Sequence, residues 1–375
     1  MNAFQHLWDH GQSFWLDNLS REMIANGELA RRVAEEGLRG VTSNPAIFHK
    51  SITQGEEYDP DIAAFGADGL GVEAAYERLV VADVQDACDI LRPVWVESEG
   101  LDGYVSLEVS PHLANDTDRT LVDALRLDAA VDRDNVLIKI PGTPEGVPAI
   151  TQAVFEGVSV NVTLLFSLDA YDAIADAYLD GLDQRLEAGR TVDDVASVAS
   201  FFLSRIDSLT DSRLEALASE ADEGAADAVR ELMGQAAVAN AKLAYRSFEQ
   251  QLDSERWARL SEAGARPQRM LWASTSTKNP AYPDVKYVEP LIGDLTINTM
   301  PEATIAAFAD HGVVANTIRQ GVDAAADTMK RLAEVGIDFD DVTDTLLEEG
   351  VEKFVVPFDR LLASLAKRMG SLVPG

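Results

Sequence analysis

Short β-rich runs alternate with longer helical stretches along almost the whole of this 375-residue chain. That alternation calls for a parallel sheet with helices packed on its faces. Strands are expected near 14–17, 39–43, 105–109, 136–140, 158–164, 195–202, 270–273 and 296–299. Eight such runs fit a (β/α)8 TIM barrel, read as one domain over 1–375. Between the fifth and sixth runs, Ala170, Ala173, Ile174, Ala177, Tyr178, Gly181, Leu182 and Leu186 recur at helical spacing, and Gly189 is placed to stop that helix. The Ala/Glu-rich segment 211–263, with Val229, Leu232, Met233, Ala236, Leu243 and Phe248, predicts two or three extra helices inserted before the seventh strand. A last helix, carrying Phe354, Phe358, Leu362, Leu365 and Met369, should pack that stripe back on the barrel.

Charge excludes whole classes of partner. With 64 acidic against 31 basic residues the formal net charge is −33. Such a field opposes nucleic acid and anionic membranes, which are bound through clustered Lys and Arg. Two readings of the acidity stay open: a solvated surface that aids solubility, or adaptation to a salty cytoplasm in which screening relieves self-repulsion. A mean hydropathy of −0.07 suits a globular protein with a large core. No apolar run is long enough to span a bilayer, and MNAFQHLWDHG lacks the n- and h-regions of a signal peptide, so a cytoplasmic location is expected. The single cysteine, Cys88, cannot form an internal disulfide and reads as a small core residue. No metal site of the CxxC or HExxH kind is present.

Strands buried on both faces of a parallel sheet should be apolar throughout, so alternation within them needs a cause. In VSLEVS, Val105, Leu107 and Val109 share one face and Ser106, Glu108 and Ser110 the other. In VSVNVTL, Val158, Val160, Val162 and Leu164 oppose Ser159, Asn161 and Thr163. If the apolar faces meet the outer helices, the polar faces point into the barrel and their last members approach its C-terminal mouth. The alternative, an antiparallel sheet with one wet face, fits poorly with the intervening helices.

Lys139 lies in VLIKIPG, inside an apolar strand that ends at Pro141-Gly142. An ordinary lysine has a pKa of about 10.4, which leaves roughly one amine in 2,500 free at pH 7. Desolvation in a barrel lumen lowers that pKa and suits a lysine that attacks a carbonyl. A strand-end lysine snorkelling to solvent remains the alternative. Asp17 closes the run Phe14, Trp15, Leu16 at another strand end, or caps a helix. Asn44 precedes Pro45 at a strand-to-helix turn and also fits an N-cap. Ser200, Phe202 and Arg205 in SFFLSR, and Ser274 and Lys278 in WASTSTKNP, follow two further strands. In a chain this poor in basic residues, Arg205 and Lys278 suggest an anion site, although each could be a surface charge.

Together GVTSNPAIF, VSLEVSP, LIKIPGT, VSVNVTLLF, SFFLSRID and WASTSTKNP resemble the transaldolase family, in its longer bacterial form, through nearly the whole chain and in the family's motif order. The resemblance implies a transferase of the pentose phosphate pathway. It would move a dihydroxyacetone unit from sedoheptulose 7-phosphate to glyceraldehyde 3-phosphate, giving erythrose 4-phosphate and fructose 6-phosphate. It further implies that Lys139 forms the Schiff base, Asp17 is the acid/base on the sugar hydroxyl, and Glu108 with Thr163 holds the water of dehydration. Asn44, Asn161 and Ser200 would bind sugar hydroxyls and Arg205 the phosphate; Lys278 stands where short transaldolases carry an arginine, in a loop that looks longer here. Phosphorylated sugars are the implied partners, with a monomer or homodimer as the assembly. No cofactor or metal is required, because a protonated Schiff base is itself the electron sink. Two rivals remain: a Schiff-base aldolase that releases its three-carbon product to water, and a non-catalytic acidic barrel that binds sugar phosphates or a protein partner.

Overall fold

The computed structural model describes residues 2–372. Eight strands, β1 (Gln12–Asp17), β2 (Gly40–Thr42), β3 (Tyr104–Glu108), β4 (Val136–Pro141), β5 (Val160–Leu165), β6 (Ser197–Phe202), β7 (Arg269–Ala273) and β8 (Thr296–Met300), close into a barrel in chain order. Every neighbouring pair is parallel, and β1 closes the ring on β8 through Gln12 opposite Thr296 and Leu16 opposite Met300. Parallel neighbours need crossovers, and helices supply them on the outside of the ring.

The runs expected from sequence all become strands, with shifted ends. Val158 and Ser159, and likewise Val195 and Ala196, precede the ladders they were assigned to, and Val109 follows one. Backbone pairing sets these limits, and side-chain type does not report it. Helix Leu168–Glu187 carries the expected stripe, and Gly189 follows its end at φ +72, a conformation that favours glycine. Ala173 is the exception: it is exposed, while Tyr171, Ala175 and Arg185 are buried. The inserted segment has a different start. Residue 211 lies inside helix Ser204–Glu220, the helix that leaves β6, and helices Glu223–Arg230, Ala236–Leu252 and Glu255–Glu262 then precede β7. Between β7 and β8 the only helical turn is Glu289–Leu291, and the surplus helices around β6 and after β8 cover that side, Ala236–Leu252 packing on Val322–Glu334.

The C-terminal helix, Phe339–Leu372, runs 34 residues across the body with Pro357 inside it. Phe354, Phe358, Leu365 and Met369 are buried as expected; Leu362 is only half-buried, and Leu361 takes its place in the stripe. One apolar cluster extends from Phe4 to Met369.

At the N-terminal end the lumen is plugged by a buried ionic network. Arg269 donates to Asp102 at 3.0 Å and to Ser13 at 2.6 Å, and Arg39 and Trp15 also donate to Asp102, at 2.9 and 3.0 Å. Gly40 makes room for the Trp15 indole, since a Cβ there would stand 2.4 Å from the ring. The chemistry is left to the opposite end.

Candidate active site

At the C-terminal mouth the ends of the strands enclose a cavity of about 260 Å³. Nine of the residues singled out from sequence line it: Asp17 (β1), Asn44 (after β2), Lys139 (β4), Thr163 (β5), Ser200 and Phe202 (β6), Arg205 (first turn of the next helix), and Ser274 and Lys278 (after β7). The remaining two, Glu108 and Asn161, lie behind this wall. Asn161 is wholly buried, donating to Ser106 at 2.9 Å and accepting from Ser200 at 2.6 Å, so it holds Ser200 in place and does not reach the cavity itself.

Strand register explains the grouping. Glu108 stands opposite Lys139, and Lys139 opposite Asn161, so three inward positions on adjacent strands fall in one layer. Ser110 does not continue that face. The strand has ended, its backbone N–H donates to Asp123, and it faces a different cavity.

Lys139 is 6 % exposed, which ends the snorkelling alternative. Its Nζ donates to the Ser43 carbonyl at 3.3 Å, lies 3.8 Å from Glu108 Oε2 and 5.3 Å from the Phe354 ring centroid. At 3.8 Å the Glu108 contact is too long for a hydrogen bond, and both carboxyl oxygens of Glu108 are buried without a hydrogen-bond partner among the described residues. Burial pushes the Glu108 carboxyl up to about 7; Lys139 opposes the shift and Asp17 adds to it. Burial likewise raises the Asp17 carboxyl, opposed by Lys139, by a 3.0 Å hydrogen bond from Thr42 Oγ1, and by Lys278. Thr42 in turn pairs with Thr299 at 2.6 Å. Asp17 caps no helix, since Ser20 is the N-cap of the one that follows.

Asn44 meets both of its readings. Its Oδ1 accepts from the N–H groups of Ala46 and Ile47 at the start of helix Pro45–Gln54, and the residue still lines the cavity. Among the described residues Thr163 Oγ1 is buried without a hydrogen-bond partner, next to Leu164 at φ +62, where β5 slips register against β6. Ser274 is also left-handed, at φ +55, with its Oγ 2.9 Å from that of Ser204. Such strain on non-glycine residues gathers where surrounding packing forces a geometry.

The far wall is cationic. Arg205 has no carboxylate partner among the described residues, and its Nη1 is buried without a hydrogen bond; the guanidinium lies 5.3 Å from the Phe202 ring centroid. Burial lowers its pKa. Lys278 donates to Ser276 at 2.6 Å, and burial first and Arg205 second lower its pKa. Two unpaired cations side by side in so acidic a chain await an anion.

Sequence reasoning missed Thr42, Thr299 and Phe354. The threonines are ordinary strand residues by type. Phe354 belongs to a helix stripe that predicts packing and gives no sign that one member would face Lys139. Among the described residues no three His, Cys, Asp or Glu side chains gather to hold a metal ion, and no helix is long and apolar enough to cross a membrane. Cys88 is buried and free, its thiol pushed up by burial.

Glu108 gives a test that needs no substrate. Between the ordinary value of 4.5 and about 7, the folded protein holds a proton on Glu108 that the unfolded chain has released, so stability falls as pH rises through that window. Glu108→Gln removes this loss, on the order of 3 kcal/mol at most. Melts of the variant should match wild type near pH 4.5 and lie a few degrees higher at pH 8. A variant that melts lower at pH 8 would show Glu108 to be ionised and stabilising in the fold.

A (β/α)8 barrel whose C-terminal mouth gathers an amine, two carboxylates and an open cation pair has the layout of a barrel enzyme. Its family is given by comparison: the model for transaldolase/fructose-6-phosphate aldolase matches residues 14–365, and the chain belongs to that family. It is 48% identical over 370 residues to the transaldolase of Trichodesmium erythraeum, covering 97% of each chain. It is 47% identical over 371 residues to the transaldolase of Thermobifida fusca, covering 99% of each. Transaldolase 2 of a Nostoc species is 47% identical over 378 residues, covering 100% of this chain and 99% of its own.

Proposed function

We propose that this enzyme is a transaldolase whose Schiff base forms on Lys139, and that it moves a dihydroxyacetone unit from sedoheptulose 7-phosphate to glyceraldehyde 3-phosphate. The observation that carries the reading is the placement of the Lys139 amine, buried between Glu108 and a cavity whose far wall is Arg205 and Lys278. The amine attacks the ketose C2 carbonyl, Glu108 protonates the departing hydroxyl, and Thr163 Oγ1, unpartnered on the cavity wall among the described residues, is available to hold the water. Asp17 takes the proton of the C4 hydroxyl, the C3–C4 bond breaks and an aldehyde leaves. The three-carbon enamine stays on Lys139 until an acceptor aldehyde takes it. Asn44, Ser200 and Ser274 are placed for the sugar hydroxyls, Phe202 supports Arg205, and Asn161 acts through Ser200. Small phosphorylated sugars fit the Arg205 and Lys278 wall, which offsets locally the repulsion that a net charge of −33 presents to anions.

Borohydride in the presence of fructose 6-phosphate should inactivate the enzyme and leave a three-carbon adduct on Lys139; an adduct elsewhere, or none, removes the assignment. Because the family includes fructose-6-phosphate aldolases, products must be compared with and without acceptor. Transfer predicts that, beyond one equivalent per active site, release of glyceraldehyde 3-phosphate from fructose 6-phosphate depends on acceptor.

The phosphate assignment has its own test. Charge-assisted hydrogen bonds are worth roughly 1.5–3 kcal/mol, so Arg205→Ala should lower kcat/KM for fructose 6-phosphate by about 10- to 150-fold. On unphosphorylated fructose the variant should be hardly worse than wild type. An equal loss on both donors would make Arg205 structural.

A further inference from the structure

Lys278 stands on no helix or strand. It lies in the loop between β7 and the turn Glu289–Leu291, and among the described residues its amine bonds only to Ser276 of the same loop, at 2.6 Å. A lysine is a point charge on a flexible four-carbon stem, and in a chain of net charge −33 carboxylates compete for it. The competitors are close. Besides the sugar cavity, Lys278 lines a smaller cavity of about 210 Å³ that it shares with Asp207 and Asp211.

Both aspartates belong to helix Ser204–Glu220, whose first turn carries Arg205. Asp207 lies about 200° round the axis from Arg205 and Asp211 one turn further on, so the helix gives its cation to the sugar cavity and its carboxylates to the loop. They are buried, at 1 % and 8 % exposure, and each of their four oxygens accepts a hydrogen bond. Asp207 accepts from the Ala237 N–H at 2.8 Å and the Tyr287 hydroxyl at 2.9 Å, with the Lys286 amine 3.4 Å away. Asp211 accepts from the Gly234 N–H at 2.7 Å and the Tyr282 hydroxyl at 2.6 Å. The helix thus ties the inserted segment, through Gly234 and Ala237, to the loop of Lys278, through Tyr282 and Tyr287. Within the loop, the Tyr282 N–H donates to the Asn279 carbonyl at 3.1 Å and the Thr277 hydroxyl to the Pro283 carbonyl at 2.9 Å. Residues 277–283 therefore form one cross-bonded turn, and Tyr282 fixes it to Asp211.

We propose that Tyr282 and Asp211 form a clasp that keeps Lys278 on the sugar side of its loop, which makes them positioning residues for the substrate phosphate. The proposal rests on the reading of Arg205 and Lys278 as the phosphate grip. The clasp acts in two ways. It anchors the turn that carries Lys278, and it occupies the Asp211 oxygen that would otherwise draw the ammonium out of the sugar cavity. Without the Tyr282 hydroxyl that oxygen is open to Lys278, and a charge-assisted bond is stronger than the neutral donor it replaces.

Tyr282→Phe removes the hydroxyl alone. KM for fructose 6-phosphate and the inhibition constant of inorganic phosphate should rise together, by about 3- to 10-fold, while kcat stays within about two-fold of wild type. Turnover of unphosphorylated fructose should not change. In a Lys278→Ala background the same substitution should move neither constant, because the group through which it acts is gone. Gly234→Ala gives an independent probe. Its Cβ would stand 2.6 Å from the Tyr282 ring, on a residue at φ +70, and should act in the same direction by pushing on the clasp. An equal loss on both donors, or an undiminished effect of Tyr282→Phe in the Lys278→Ala background, would make the tyrosine a general support and overturn the clasp. Wild-type constants in Tyr282→Phe, where Lys278→Ala alone raises both, would overturn it as well. Failure of the underlying reading would look different: Lys278→Ala would itself leave both constants at the wild-type level, and the clasp would fall with the grip.

Discussion

Lys139→Ala should leave a folded protein with no measurable transfer. Removing a covalent nucleophile costs roughly 10⁴-fold or more in kcat, and here nothing nearby can substitute: Lys278, the other amine on the cavity wall, is bonded to Ser276 and lies beside Arg205. The fold should survive because the substitution takes a polar amine out of a buried layer and leaves Glu108 free to hold its proton. The lost contacts are one hydrogen bond to Ser43 and a contact with Glu108 at 3.8 Å. Circular dichroism and thermal melts check the fold, coupled assays the turnover, and borohydride trapping the loss of the adduct. Near wild-type turnover would end the Schiff-base assignment.

The same local features made part of this site legible in the sequence. Polar alternation in β3 and β5 exposed the lumen-facing layer, since a strand buried on both sides has no other use for Ser106, Glu108, Asn161 and Thr163. Lysine at the end of an apolar strand marked β4 for the same reason. Long-range placement stayed hidden. The sequence cannot tell that Asn161 spends its amide on Ser106 and Ser200, because that depends on which inward residues of neighbouring strands fall in register. Nor can it separate Leu361 from Leu362 in the C-terminal helix, where adjacent residues differ by about 100° around the axis and packing on helices far away in the chain decides. Phe354 facing Lys139, and Glu108 buried beside the same amine without a hydrogen-bond donor among the described residues, are consequences of closure and not of any local pattern.

Closure also separates the two carboxylates by environment, and the last expectation follows from that. Glu108 lacks any hydrogen-bond donor and is pushed up to about 7 by burial, so near neutrality it is often protonated and can act as an acid. Asp17 is buried too, and burial raises its carboxyl, but it accepts a hydrogen bond from Thr42 and lies near two lysines, contacts that favour the ionised form. Of the two it is the one that lines the sugar cavity and has a donor to its carboxylate, so the base role falls to it. Asp17→Ala should therefore spare carbonyl capture and block cleavage, lowering kcat by about 10²- to 10⁴-fold, the usual worth of a positioned general base. Borohydride should then trap the whole donor on Lys139, where wild type yields a three-carbon adduct, and no aldehyde should be released. Because its pKa is raised, the acid limb of wild-type kcat should fall above the usual carboxylate range, and residual activity of the variant should lose that limb. Asp17→Asn keeps an oxygen for the Thr42 hydroxyl and so preserves the local geometry; it should be as impaired as the alanine variant. If either variant turns over at the wild-type rate, or accumulates the three-carbon adduct, the proton is taken by another group and Asp17 is not the base.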